Sequence, residues 1–476
     1  MQRVYLHRLI NHEEQDFAMQ SNRRQMIRSI AGGSLLLPGI MSQLMSDSAN
    51  AAKSNNPLSP KDSHFPATAK RIIFLFMTGG VSHVDTFDHK PILNERHDQQ
   101  QRPRNFYKGS GWKFRKYGES GMEISDLFPH IGSVADEICM INSMKNINGD
   151  HFGATIGIHT GSATFNRPSF GSWVSYGLGT VNQNLPSFVV VSEGIPYGGG
   201  QNWGSDFLPV LHQGTQIVPG NDPIKNIRPA GDSGKLQKAE LDLVEFFNKQ
   251  HLKGREADSN LASRVRSFET AAGMQLAAPE AFDLSNETQE TLDLYGLEPG
   301  QTTSFGWQCL VARRLAQRGV RFIELVDGDT FLDRNWDAHA NISKYPKLSK
   351  NVDQPIAALI KDLKRLGMLD DTLVVFTTEF GRGPFVPEPG TNGRGHHASA
   401  YSSWIAGGGI KGGLVYGKSD EFGSQVAENV VSPHDFHATL LHCLGMDHEK
   451  LTYRHAGRDY RLTDVHGDVL HDILKS

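Results

Sequence analysis

The chain has 476 residues, 38% hydrophobic and 21% charged, which excludes both a disordered chain and a bundle of membrane spans. Its formal net charge of -4 removes the general electrostatic case for binding nucleic acid. Three widely spaced cysteines, Cys139, Cys309 and Cys443, exclude a disulfide framework and a cysteine zinc cluster.

The first 51 residues read as a targeting segment. Arg23 and Arg24 precede a short apolar stretch, Ile30 to Met41, and Ala49-Asn50-Ala51 offers a small-residue cleavage site. This pattern resembles a twin-arginine signal peptide, which predicts export to the periplasm or beyond. The apolar stretch is too short to remain as a stable membrane span. Residues 52 to 69, rich in Ser, Pro, Lys and Asn, read as a flexible lead-in.

Arg71 to Met77 is the first predicted core strand. The turn after it carries His83, Asp85, Asp88 and His89, and Gly79 and Gly80 permit the backbone bend that would aim Asp85 into a cleft. Residues 94 to 121 are charged and aromatic without periodicity and read as an insertion. A short helix is expected over 125 to 135 and a buried strand over 137 to 144. Asp150 and His151 then fall at a predicted helix start, where free amides also suit an anion.

Asn184 to Ser192 reads as a strand, and the glycine-rich stretch 194 to 204 lacks the order of a phosphate-cradling loop. Helical patterns over 232 to 274, 287 to 296 and 307 to 319 carry no catalytic signature, and 220 to 310 reads as a second insertion. Arg318 to Asp329 forms a helix end and a strand, followed closely by Asp337 and His339 in NWDAHAN. An amphipathic helix, VDQPIAALIKDLKRLG, leads to the strand LVVF and then to FTTEFGRG with Glu379. His396 and His397 follow in TNGRGHHASA. These carboxylate and imidazole groups suit a divalent metal, with either histidine able to serve. Near the C-terminus, HDFHATLLHCLG reads as a helix, with His442 structural and the role of His437 open. Alternating strand and helix signals predict one large α/β domain over 70 to 476.

The order GGVSHVDTFDHKP, RPSFGSWVSYGLG, NLPSFVVV, WDAH, FTTEFGR, GRGHH and HDFHATLLHCLG closely resembles the exported bacterial family of unknown function numbered 1501. The resemblance covers nearly all of the chain from Arg71. That family is in turn similar to the alkaline phosphatase and sulfatase superfamily. The resemblance implies a three-layer α/β/α sandwich with a mostly parallel central sheet. It also implies one or two divalent metals, with zinc, calcium and magnesium all candidates. By this resemblance Asp85, Asp337, His339, Glu379 and one of His396 or His397 would be metal ligands. His151 would stand where the superfamily has its Ser or Thr nucleophile, and Phe380 where phosphatases have a histidine.

Asp150 and His151 are therefore the catalytic candidates, with His151 as general base, ligand or phosphoryl acceptor. The function expected is hydrolysis of phosphate or sulfate esters in the cell envelope, with an anionic small molecule or a sulfated or phosphorylated glycan as partner. The alternatives are a catalytically degenerate protein that binds such glycans and a structural envelope protein. The sequence does not set the oligomeric state.

Overall fold

The first continuously apolar run starts the central sheet: Arg71–Met77 is strand β1, buried from its second residue onward. The computed structural model describes residues 57–225, 234–255 and 259–475, so the predicted signal peptide and the first residues of the lead-in, 52–56, lie outside the described residues. The other strands of the site-bearing region are β2 (Ile138–Met144), β3 (Phe188–Ser192), β4 (Thr215–Ile217), β5 (Phe322–Asp327) and β6 (Thr372–Thr377). After them come β7 (Gly381–Arg382), β8 (His396–His397), β9 (Tyr401–Gly407) and β10 (Leu414–Tyr416).

Eight of these form one sheet in the order β10-β2-β9-β6-β1-β5-β3-β4. β1 lies at its centre, parallel to β6 on one side and β5 on the other. β9 is the one strand of this sheet that runs against the rest. That reversal has a positional effect. A parallel successor to β6 would need a crossover to the far edge of the sheet. An antiparallel one lets the chain leave β6 and re-enter β9 at the same edge, so residues 378 to 400 all stay where β1 and β5 end.

The longer helices are α1 (His151–Thr160), α2 (Phe170–Leu178), α3 (Gly234–Leu252), α4 (Ser259–Phe282), α5 (Gln289–Tyr295), α6 (Phe305–Gln317), α7 (Tyr345–Arg365) and α8 (Pro433–Cys443). Successive side chains of a strand point to opposite faces, and β1 shows the consequence. Ile73, Leu75 and Met77 pack with α6 and α7 residues such as Leu310 and Leu359. Ile72, Phe74 and Phe76 pack with Ile158, Trp173 and Leu440 of α1, α2 and α8. The fold is thus a three-layer α/β/α sandwich around a mostly parallel sheet, as expected. The residues from Leu58 on form one compact unit. Among the described residues no helix is long and apolar enough to cross a membrane.

Local differences have local causes. The short helix expected over 125 to 135 is one turn, Pro129–Gly132, preceded by a strand, Met122–Ser125, that pairs with Phe114–Tyr117 inside the first insertion. Helix α7 starts seven residues before VDQP, because Pro346 sits in its first turn, where the missing N–H costs nothing.

Candidate metal centre

Four chain segments converge at the C-terminal edge of the sheet: the turn after β1, the start of the helix after β2, the loop after β5, and the excursion between β6 and β9. Gly79 is their pivot. Its φ of 110° lies in the region only glycine adopts freely, and an added Cβ would meet Asp337 N at 2.5 Å. Its N–H donates to both oxygens of Glu379, at 2.9 and 3.1 Å. Its carbonyl accepts from Arg382 Nη2. The turn foreseen at Gly79-Gly80 is present, but what it positions is Glu379 and Arg382.

His151, Asp337, His339 and His396 each present one ligand atom, and these atoms lie within 4.8 Å of one another. His151 opens α1. Asp150 is the helix cap, its Oδ1 accepting from Gly153 N at 2.8 Å, so its carboxylate is engaged in holding the helix start rather than in the cluster. Asp337 and His339 follow β5 on an irregular loop, with the His339 ring nitrogen against Asp337 Oδ1. The two residues of β8 point to opposite faces. His396 turns into the cluster, while His397 Nε2 meets the Ser424 carbonyl at 2.7 Å and its ring stacks over His83. Of the two histidines left open by the sequence, the structure brings His396 to the site.

The hydrogen bonds fix the state of two imidazoles. His396 Nδ1 lies 2.7 Å from the Gly149 carbonyl, which only accepts, so the proton sits on Nδ1. Its Nε2 is buried and has no hydrogen-bond partner among the described residues. Burial and the charges of Arg382, His151 and His339 lower the His396 pKa to about 4, against a smaller opposite effect of the Gly149 carbonyl. The ring is therefore neutral near pH 7, with a bare lone pair. His151 Nδ1 lies 2.6 Å from Glu379 Oε1, and its ring stacks on Tyr197 with centroids 4.4 Å apart. Burial opposes protonation of His151, but its hydrogen bonds to Asp337 and Glu379 outweigh it and raise its pKa.

Asp337 is held strongly ionised. Burial works against the charge, yet the hydrogen bond from His151 and the guanidinium of Arg382 pull its pKa well below the carboxylate range. Arg382 is fully buried and its Nη2 lies 2.8 Å from Asp337 Oδ1. Its Nε donates to the Gly80 carbonyl at 3.0 Å and its Nη1 to the Arg394 carbonyl at 3.2 Å.

Two expected ligands stand outside the cluster. Glu379 is completely buried, with its oxygens taken by Gly79 N–H, the Thr378 hydroxyl and His151. It touches the cluster through His151. Asp85 pairs with Arg394, Nε to Oδ2 at 2.6 Å and Nη2 to Oδ1 at 3.1 Å, and Ser82 donates to the same carboxylate. Both Asp85 oxygens are thereby occupied. Sequence reasoning overlooked Arg382 and Arg394, although both lie in the quoted stretches FGRG and GRGHH. Their glycine neighbours were the available signal, since a buried guanidinium needs backbone carbonyls close by.

No curated protein matches the chain. Among solved structures it is similar to the phosphonate monoester hydrolase SpPMH from Silicibacter pomeroyi, at 10% identity, 86% of this chain, 77% of that chain and a TM-score of 0.38. It is similar to the lipoteichoic acid synthase LtaP from Listeria monocytogenes, at 10% identity, 86% and 79% coverage and a TM-score of 0.36. It is also similar to the alkaline phosphatase of the Antarctic bacterium TAB5, at 12% identity, 79% and 98% coverage and a TM-score of 0.31. Likeness at these scores carries no weight for chemistry, and the layer architecture rests on the strand order itself. Residues 69–474 match the family described as "Protein of unknown function (DUF1501)", and the chain belongs to that family.

Proposed function

We propose that the chain is a metal-dependent hydrolase of phosphate or sulfate esters that works after export to the cell envelope. The observation that carries this reading is His396 Nε2, a buried, unprotonated and unpartnered nitrogen facing three further ligand groups. Buried polar atoms in native proteins find partners, and a cation is the partner this lone pair suits. Three imidazoles and one carboxylate favour zinc or a related transition metal over calcium or magnesium, which prefer all-oxygen sites. When bound, such a metal polarises an ester oxygen and lowers the pKa of water.

The chain's own groups prepare the site. Glu379 accepts the Nδ1 proton of His151 and so directs Nε2 inward, as carboxylates do behind metal-bound histidines. Arg382 keeps Asp337 ionised and in place. The start of α1 carries His151 where a hydroxyl or thiol nucleophile would stand, so water is the nucleophile. Its oxygen bonds to phosphorus or sulfur, the bond to the alcohol oxygen breaks, and the alcohol leaves with a proton. The substrate class is an anionic small molecule or a sulfated or phosphorylated glycan.

The test is the metal content of purified protein together with chelator-sensitive release of phosphate or sulfate from a panel of mono- and diesters. A fully metal-loaded protein silent across that panel would count against hydrolysis. The same His151 supports a second reading, in which esterified glycans are bound without turnover. Saturable glycan binding with no product distinguishes it. Export rests on Arg23 and Arg24, outside the described residues, and is tested by replacing both with Lys and looking for retention in the cytoplasm.

A further inference from the structure

At the ends of β3 and β5 lies a cavity of about 690 Å³ lined in part by Ser304, Gln308, Asp327, Asp329 and Asn351. Two of its buried groups lack what their chemistry calls for. Gln308 is 3% exposed and its Oε1 has no hydrogen-bond partner among the described residues. Asp327 is 6% exposed, and its two hydrogen-bond donors, Trp336 Nε1 at 2.9 Å and Asn351 Nδ2 at 3.2 Å, are both neutral. The neighbouring Asp329 does have a cation, Arg334 Nη1 at 3.5 Å. A buried carboxylate without a counter-charge is costly. The two unmet groups are both acceptors.

We infer that this cavity is a second ligand site and takes a primary ammonium group, which would donate to Gln308 Oε1 and supply the counter-charge of Asp327. An ammonium carries three donors and no acceptor, which matches these two acceptors. The cavity's lysines, Lys347 and Lys350, are exposed, so their charges are screened by water. Burial, aided by the nearby Glu193, raises the Asp327 pKa to about 7 against the opposing hydrogen bonds of Trp336 and Asn351. The inference goes beyond ester hydrolysis and holds whether or not the metal centre turns over a substrate.

The experiment is calorimetric titration of the full chain with ethanolamine and, separately, with ethylene glycol. It is run at pH 8, where Asp327 is ionised, and with a chelator present so that amine–metal coordination contributes nothing. Saturable binding of ethanolamine without binding of ethylene glycol is the expected result. Gln308→Met and Asp327→Asn should each weaken that binding by about tenfold or more, the usual scale for losing a hydrogen bond to a charged group. Gln308→Met removes an unsatisfied acceptor and should fold normally, so it decides the matter if Asp327→Asn does not fold. Equal binding of the two probes, no binding of either, or ethanolamine binding unchanged in Gln308→Met would each overturn the inference.

Discussion

His151 Nδ1 and Glu379 Oε1 are 2.6 Å apart, and no part of the Glu379 side chain reaches solvent. A carboxylate in this position orients the imidazole and raises its basicity, and its loss typically lowers metal affinity about 10–100-fold. Glu379→Gln should therefore bind metal with an affinity reduced on that scale, measured by competition with a chromophoric chelator. Unchanged affinity would remove Glu379 from the positioning role.

The cluster itself makes a sharper contrast. His396→Ala and Asp337→Ala should lose bound metal in elemental analysis of the purified protein. His397→Ala should retain it, because His397 faces Ser424 and His83 on the other side of β8. Metal retained in His396→Ala and lost in His397→Ala would reverse the assignment of the pair.

Asp85 separates a structural carboxylate from a ligand. Its removal strands the fully buried Arg394 guanidinium. Breaking one side of a buried ion pair costs about 3–5 kcal/mol. Asp85→Ala should thus lower stability to chemical denaturation by that order, while the folded fraction keeps its metal. Metal loss without destabilisation would make Asp85 a ligand after all.

Acid should weaken the fold through histidines held neutral. Burial, aided by the charge of Lys61, lowers the His212 pKa to about 3. Burial and the charge of His434 lower His437 to about 3 despite the opposing Ile158 carbonyl. The unfolded chain protonates each near pH 6.5. Between those values the unfolded state holds more protons, so stability falls as pH drops, by about 1.4 kcal/mol per pH unit for each residue. Urea midpoints measured from pH 7 to 5 should decline, and His437→Met should decline less steeply. An identical slope in that variant would show that His437 does not contribute.

Much of the scaffold was readable in the chain because apolar runs and their periods are local. RIIFLFM, LVVF and the helix through IAALIKDL announce themselves without reference to the rest of the fold. The direction of β9 was not legible, since pairing sense depends on where the chain re-enters the sheet rather than on composition. The approach of WDAH and GRGHH to His151 was anticipated from their shared position after strands. The exclusion of Asp85 was not, because it depends on Arg394, 309 residues away in the chain. Likewise, neither Glu379 nor Asp150 carries any local mark that separates a ligand from a brace or a cap. Only the partners make that distinction.

Arg382 also has a consequence for what the centre would admit. It places a permanent positive charge beside two carboxylates, Asp337 and Glu379, and the Lys344 ammonium, which donates to the Asp337 carbonyl, is a second cation nearby. With a divalent ion bound and its imidazole ligands unprotonated, these groups would leave the centre with surplus positive charge. Such a centre would favour anions over neutral molecules. Arg382 would then draw anionic ligands toward the centre as well as bracing Asp337.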